Sequence, residues 1–324
     1  MIVDSERGLY CPEGGFHLDP LLPVERAVLT HAHGDHARAG SSSYLCTPET
    51  AVLLRRRLEG ARIETLPYGE RLRVGGVTVS LHPAGHMLGS AQVRIEGGSG
   101  VWVLSGDYKR EPDPTCPPFE PLRCDAFITE ATYALPLFRW DDPSAVAREI
   151  VAWWQGNARK ASVLFCYALG KAQRLLAEIV RLADRPAWVH GMVEPFAQAY
   201  RECGVRLLET RHVAEERGLL GELVLAPITA RGTPWMKRFR ALEQGFASGL
   251  LRIRGTRRRR GFDRGFVISD HADWPGLLRT IRETGAGRVY ATHGHREALV
   301  RWLRESGVEA APIGSVRPLD PEGD

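Results

Sequence analysis

Ala27-Val28-Leu29-Thr30-His31-Ala32-His33-Gly34-Asp35-His36 sets four metal-binding side chains within six residues, directly after a short apolar run. A run of that kind reads as a strand, and its abrupt end in a polar loop fixes how the ligands point. On a strand ending, His31 and His33 lie two apart and share a face, whereas the turn at Gly34 redirects Asp35 and His36 toward a neighbouring point. One segment can therefore serve two adjacent cations. Imidazole and carboxylate suit zinc; manganese and iron also accept such donors, and spacing alone does not choose among them. A solvated polar loop is the plainer reading of any one histidine, but four such residues at one strand end speak against it.

Other apolar runs end the same way. His86 follows the run 77–81 in His82-Pro83-Ala84-Gly85-His86, Asp107 closes Val101-Trp102-Val103-Leu104-Ser105-Gly106-Asp107, and His293 closes Val289-Tyr290-Ala291-Thr292-His293. If these strands run alike, their carboxyl ends form one rim, the place where open α/β sheets present ligand sites. Further candidate strands are 15–18, 92–95, 126–128 and 266–268. From Asp142 the texture changes: helical stretches at 144–154, 171–183 and 194–203 alternate with strand-like 162–167, 188–190 and 223–226, which argues for a parallel α/β domain. The first texture returns near Phe262. The expected organisation is thus an α/β chain with one domain at 1–137 and 264–324 and a second inserted at 138–263.

The composition of the 324 residues, 44% hydrophobic and 25% charged, leaves room for two folded domains. No run approaches the roughly 20 apolar residues that span a bilayer, and the first residues lack the pattern of a secretory signal, so a cytoplasmic location without a membrane partner is the expectation. Six cysteines without a C-x-x-C pair encode neither a thiolate zinc knuckle nor a redox motif. Net charge is +4, and because Lys109, Lys160, Lys171 and Lys237 are the only lysines, arginine carries nearly all the positive charge. Mild basicity permits a nucleic-acid partner.

These motifs, in this order, resemble the metallo-β-lactamase fold nucleases of the β-CASP group, over nearly the whole chain. The fold's signatures match at Asp19 in Phe16-His17-Leu18-Asp19, the heptad ending at His36, His86 in Ala84-Gly85-His86, and Asp107 in Ser105-Gly106-Asp107. The group's own marks match at Glu130 in Thr129-Glu130-Ala131-Thr132-Tyr133, His271 in Ser269-Asp270-His271-Ala272-Asp273, and His293 in Thr292-His293-Gly294. The run from Ala168 to Leu176 is similar to the group's entry to a helix of its inserted domain. One departure is His295, where many members have glutamate. The stretch Gly255-Thr256-Arg257-Arg258-Arg259-Arg260-Gly261-Phe262 makes the chain most similar to bacterial exonucleases associated with DNA ligase and helicase genes.

The resemblance implies an αββα sandwich interrupted by a parallel β-CASP domain, holding two divalent metals, zinc before manganese. His31, His33 and His86 would hold one, Asp35, His36 and His293 the other, with Asp107 between them and Asp19 orienting a ligand from behind. Such a pair activates water and clamps the oxygens of an in-line phosphoryl displacement, so no side-chain nucleophile is required. Glu130 and His271 then form a carboxylate–imidazole pair, His271 donating a proton to the leaving oxygen.

Arg252, Arg254, Arg257, Arg258, Arg259 and Arg260 are the expected phosphate contacts of a single-stranded nucleic acid, and Lys171 at a helix start is a weaker one. Trp235, Phe239 and Tyr133 are of the type that stacks on bases, although aromatic residues at such spacing usually belong to a core. The favoured function is a single-strand DNA exonuclease acting from the 5′ end in DNA repair. A ribonuclease of the same fold is the alternative, and a thioester or lactam hydrolase a third class, for which the arginine run and the inserted domain would have no use. DNA against RNA, cleavage direction and metal identity stay open.

Overall fold

The computed structural model describes residues 1–214 and 216–314; positions 315–324, which the sequence reading assigns to the first domain, lie outside the described residues. The chain forms two compact units, Met1–Pro136 rejoined by the chain from His271, and Leu137–Asp270. It is a mixed α/β structure with three sheets and short helices.

The first unit contains two sheets. One is built in sequential order from β1 (Val3–Ser5), β2 (Gly8–Cys11), β3 (Phe16–Leu18), β4 (Arg26–Val28), β5 (Ser43–Cys46) and β6 (Ile63–Thr65), parallel from β3 to β6. The helix α1 (Pro48–Leu54) connects β5 to β6. The second sheet comprises β7 (Arg71–Val74), β8 (Val77–Pro83), β9 (Ala91–Gly97), β10 (Gly100–Leu104) and β11 (Ala126–Glu130), completed by two strands from the end of the chain.

Side-chain alternation on the second sheet explains its layers, because successive residues of a strand face opposite sides. Trp102, Leu104, Ala126 and Ile128 join Phe16, Leu18, Val28 and Leu45 of the first sheet in one core between the sheets. Their neighbours Val103 and Phe127 face the other way, toward Trp274, Leu277, Ile281, Leu299 and Leu303. Those residues belong to two helices of the last part of the chain, so the central strands are apolar on both faces and read as continuous hydrophobic runs. Truncating one such residue, for example Leu104→Ala, would cost about 2–5 kcal/mol.

The second unit holds α2 (Pro143–Gln155), β12 (Ala161–Phe165), α3 (Lys171–Ile179), β13 (Ala187–Val189), α4 (Glu194–Glu202), β14 (Thr210–His212), β15 (Leu223–Ala226), β16 (Leu242–Ala247), α5 (Thr256–Arg259) and β17 (Arg264–Phe266). Its strands form one all-parallel sheet in the order β14-β13-β15-β12-β16-β17. Asp142 caps α2 by accepting from Ser144 N, Pro143 supplies a preset first turn, and Val146, Ala147, Ile150, Val151 and Trp154 form its buried stripe. The sequence reading returns the chain to the first domain at 264. Here β17 pairs with β16, Phe246 opposite Gly265, and the chain rejoins the first unit at His271.

After His271 come α6 (Trp274–Thr284), β18 (Arg288–Thr292), α7 (Arg296–Glu305) and β19 (Glu309–Pro312). β18 lies between β11 and β19 and is parallel to both, which completes the order β19-β18-β11-β10-β9-β8-β7. β8 and β10 are each antiparallel to β9 and therefore run alike; β11 and β18 are parallel to β10. β8, β10, β11 and β18, with β19, thus end on one side of this sheet. That side carries the site.

Candidate metal centre

Pairing persists just past β4, where Leu29 N donates to Leu45 O, and Thr30 is the first residue released. Thr30 is then tied from several directions. Its N–H donates to Asp19 Oδ1 at 2.8 Å, its hydroxyl to Asp19 Oδ2 at 2.6 Å, and its carbonyl accepts from Ala91 N at 2.7 Å. His33 O accepts from both His36 N and Ala37 N, closing the turn that carries Asp35 and His36. His86 enters from the loop after β8, its N–H held by Ser90 Oγ. Asp107 enters just after β10, and His293 just after β18.

The structure brings His31, His33, His86 and Asp107 together, one donor atom of each lying within 4.8 Å of all the others. His31 Nε2 and His86 Nε2 each stand 3.2 Å from His33 Nδ1, and His31 Nε2 is 3.6 Å from Asp107 Oδ2. A tetrahedral zinc ion with bonds of about 2.0–2.1 Å separates its donors by about 3.3 Å, so the donor set and its spacing fit a divalent cation. The second expected set is more open. His36 Nε2 lies 3.4 Å from both Asp35 Oδ2 and Asp107 Oδ2, while the His293 ring stacks on that of His36 at 5.2 Å. Asp107 therefore faces both sets.

Hydrogen bonds behind the donors set their orientation. Asp19 Oδ2 contacts His36 Nδ1 at 2.8 Å, and through the Thr30 hydroxyl, 3.0 Å from His31 Nδ1, the same carboxylate reaches a second imidazole. Thr292 Oγ1 does for His293 Nδ1, at 2.8 Å, what Thr30 does for His31. Sequence reasoning missed both threonines. The signal was present as a repeated Thr-His pair at two strand ends, Thr30-His31 and Thr292-His293. Asp19 and His293 both have positive φ, 42° and 61°, conformations that persist where surrounding contacts hold them. Gly106, with φ 58°, has no room for a Cβ, which would fall 2.5 Å from Thr30 Cβ.

Electrostatics bind the cluster into one system. Burial, and then the charge of His36, keep the His31 pKa well below the usual imidazole value. Burial also opposes charge on His36, yet Asp35, Asp107 and Asp19 outweigh it and hold that imidazole well above its usual range. Asp107 is the mirror case: burial works against its ionisation, but His36, His271 and His31 keep its carboxyl well below the ordinary value.

Glu130 and His271 form a separate pair on the same rim. Glu130 is buried at the end of β11, with Oε1 accepting from Tyr108 N at 2.7 Å and Oε2 meeting His271 Nδ1 at 2.8 Å. Both carboxylate oxygens are thus engaged. His271 lies 4.9 Å from the His86 ring, and its donor atom lies within 4.8 Å of those of Asp107 and Glu130. His295 occupies the N-cap position of α7 without a side-chain capping bond, and its N–H donates to Ala131 O.

The expected phosphate contacts all lie in the second unit and differ among themselves. Arg252 pairs with Asp141 at 2.8 Å; Arg257 Nη1 donates to Asp263 O at 2.6 Å; Arg259 reaches Arg254 O and Thr256 Oγ1. The Arg260 guanidinium lies over the Phe246 ring. Arg254 and Arg258 are exposed and enter no ion pair among the described residues. Lys171 is buried, 3.8 Å from Asp270 and over the Tyr167 ring, so its charge is engaged inside the unit. Asp270 is shared with Arg174 at 3.0 Å.

No family model matches the chain. It is 31% identical, over 98% of its length, to a probable DNA ligase of Opitutus terrae, covering 32% of that protein. A ribonuclease of Thermus thermophilus is 32% identical over 42% of this chain and 36% of its own. Cleavage and polyadenylation specificity factor 73 of Drosophila melanogaster is 32% identical over 47% of this chain and 23% of its own. The chain thus spans about a third or less of these curated relatives. Among solved structures, a protein of unknown function from Enterococcus faecalis superposes with a TM-score of 0.60 at 12% identity, over 89% of this chain and 78% of that one, a likeness of fold. Several relatives are named as ribonucleases or endoribonucleases. Among the described residues no helix is long and apolar enough to cross a membrane.

Proposed function

We propose that the chain is a two-metal phosphodiesterase of the β-CASP group of metallo-β-lactamase fold nucleases, acting on single-stranded nucleic acid. The observation that carries this reading is the convergence of His31, His33, His86 and Asp107, with Asp35, His36 and His293 beside them, at strand ends of two facing sheets. An imidazole-rich set with few carboxylates favours zinc over manganese. Divalent cations bound there supply Lewis-acid polarisation of a phosphodiester oxygen and an activated water.

The chain's own residues supply the rest. Asp19 and Thr30 hold the ring planes of His36 and His31, and Thr292 that of His293. Glu130 accepts from His271 Nδ1, which fixes the ring and leaves Nε2 as the proton-donating atom for the departing oxygen. Exposed arginines of the second unit, Arg254 and Arg258 foremost, give the phosphate backbone a salt-sensitive hold.

DNA is the favoured substrate, with a 5′ exonuclease mode and a role in DNA repair. The relative aligned along 98% of the chain is named a probable DNA ligase, which supports a working association with ligation. The ribonuclease relatives align over less than half of the chain and support RNA as the second reading. Matched DNA and RNA single strands, labelled at either end and incubated with zinc, manganese or chelator, separate these readings. Mononucleotides released from the 5′ end of DNA only with metal is the expected result. Selective RNA cleavage moves the assignment to the second reading, and no cleavage of either strand by metal-replete protein overturns both.

A further inference from the structure

In the second unit a cavity of about 700 Å³ lies between the segment that follows β14 and the 3₁₀ turn between β15 and β16. Its walls come from the loop after β14, with Glu216 and Arg217, and from the 3₁₀ turn Pro234–Arg238 after β15, with Trp235, Lys237 and Arg238. The volume falls in the range of small-molecule sites, roughly 300–1,000 Å³.

The wall is built from interlocked groups. The Arg238 guanidinium lies 5.1 Å from the Trp235 ring centre, its Nε donates to Trp235 O, and Nη1 donates to Ala214 O and Val213 O, which joins the two loops. His190, following β13, meets the indole edge-on at 5.0 Å, and Phe239 meets it at 5.2 Å. Burial and the Arg217 guanidinium weigh against the charge on Arg238; burial, Arg238 and His212 weigh against protonation of His190. The charged groups that act on Arg238 and His190 are thus cations. Arg217 and Lys237 are exposed on it and enter no ion pair among the described residues, while Glu216 is the one carboxylate among the described lining residues.

We propose that this cavity is a nucleotide site, taking a phosphate on Arg217 and Lys237 and a base against the Trp235 indole, and built from residues the metal rim does not use. The phosphate chemistry is shared by a nucleotide within a bound single strand and by a free mononucleotide. The proposal rests on the nuclease reading only for its natural ligand.

The test uses the full chain, its Arg217→Gln/Lys237→Gln variant, which alters two exposed side chains, and Asp107→Ala. Binding of dAMP is followed by calorimetry. Binding of a labelled single strand is followed by anisotropy over a range of salt, with chelator present so that the strand is not cut. The double variant is expected to bind dAMP at least tenfold more weakly, and its log K against log salt for the strand should be shallower by about 1.4 if a strand occupies the site. Loss of dAMP binding with an unchanged strand slope identifies a free mononucleotide as the occupant, and a shallower slope without dAMP binding identifies the strand. Strand and dAMP binding that do not distinguish the double variant from the parent overturn the proposal. If Asp107→Ala cleaves like the parent, the nuclease reading fails, while the dAMP result stands by itself.

Discussion

The metal rim of the first unit and the arginine segment 252–260 of the second both concentrate one kind of chemistry in a short stretch, yet the structure treats them differently. On the rim nearly every polar group holds a reactive one: Asp19 holds His36 and Thr30, Thr30 meets His31, Thr292 meets His293, and Glu130 holds His271. In the arginine segment most of the charge is turned to local structure, Arg257 and Arg259 on backbone carbonyls and Arg252 on Asp141. A ligand cluster announces its purpose because buried imidazoles and carboxylates are costly to keep for any other reason. A guanidinium has five donors and serves a loop carbonyl as readily as a phosphate, so a run of arginines says less.

The largest effect that would sharpen this contrast is Asp107→Ala, which removes the carboxylate that faces both donor sets. Cleavage should fall to background and metal content should drop with it. His271→Ala should lose about 10²–10⁴ in kcat while metal content stays at the parent level; coupled loss of metal would place His271 among the ligands instead. Thr30→Val keeps shape but breaks the link from Asp19 to His31, and metal affinity measured by competition with a chelator should weaken about 10–100-fold. Unchanged affinity would mean that the hydrogen bonds behind the ligands do no orienting. The smallest effects divide the arginines. Arg257→Gln should lower stability by about 1 kcal/mol in urea unfolding with little change in strand binding. Arg254→Gln/Arg258→Gln should leave stability alone and flatten the salt dependence of strand binding by about 1.4. The reverse pattern would erase the distinction drawn here.

Much of the rim was legible because its residues follow strands, and the pairing of β8, β10, β11 and β18 brings their ends to one side. The direction of β8 could not be read locally; it depends on β9 being antiparallel to both neighbours. The threonines behind the ligands were hidden for a simpler reason, since a hydroxyl next to a histidine resembles any polar turn. Strand β17 is faint in the sequence because Arg264–Phe266 carries one buried apolar side chain, and its partner β16 is recognised only once the sheet is assembled. The cavity around Trp235 draws on two separate segments, one carrying Ala214, Glu216 and Arg217 and the other Pro234–Arg238, and no single motif marks it.

If one rim holds the metals, cleavage depends on them. The most direct measurement is the metal content of the parent and of Asp107→Ala by mass spectrometry after zinc loading and gel filtration, with strand cleavage assayed on the same samples. Two equivalents of zinc and metal-dependent cleavage are expected in the parent, with both lost in the variant. Full cleavage by parent protein stripped of metal, or an Asp107→Ala protein that keeps both metals and cuts normally, would contradict it.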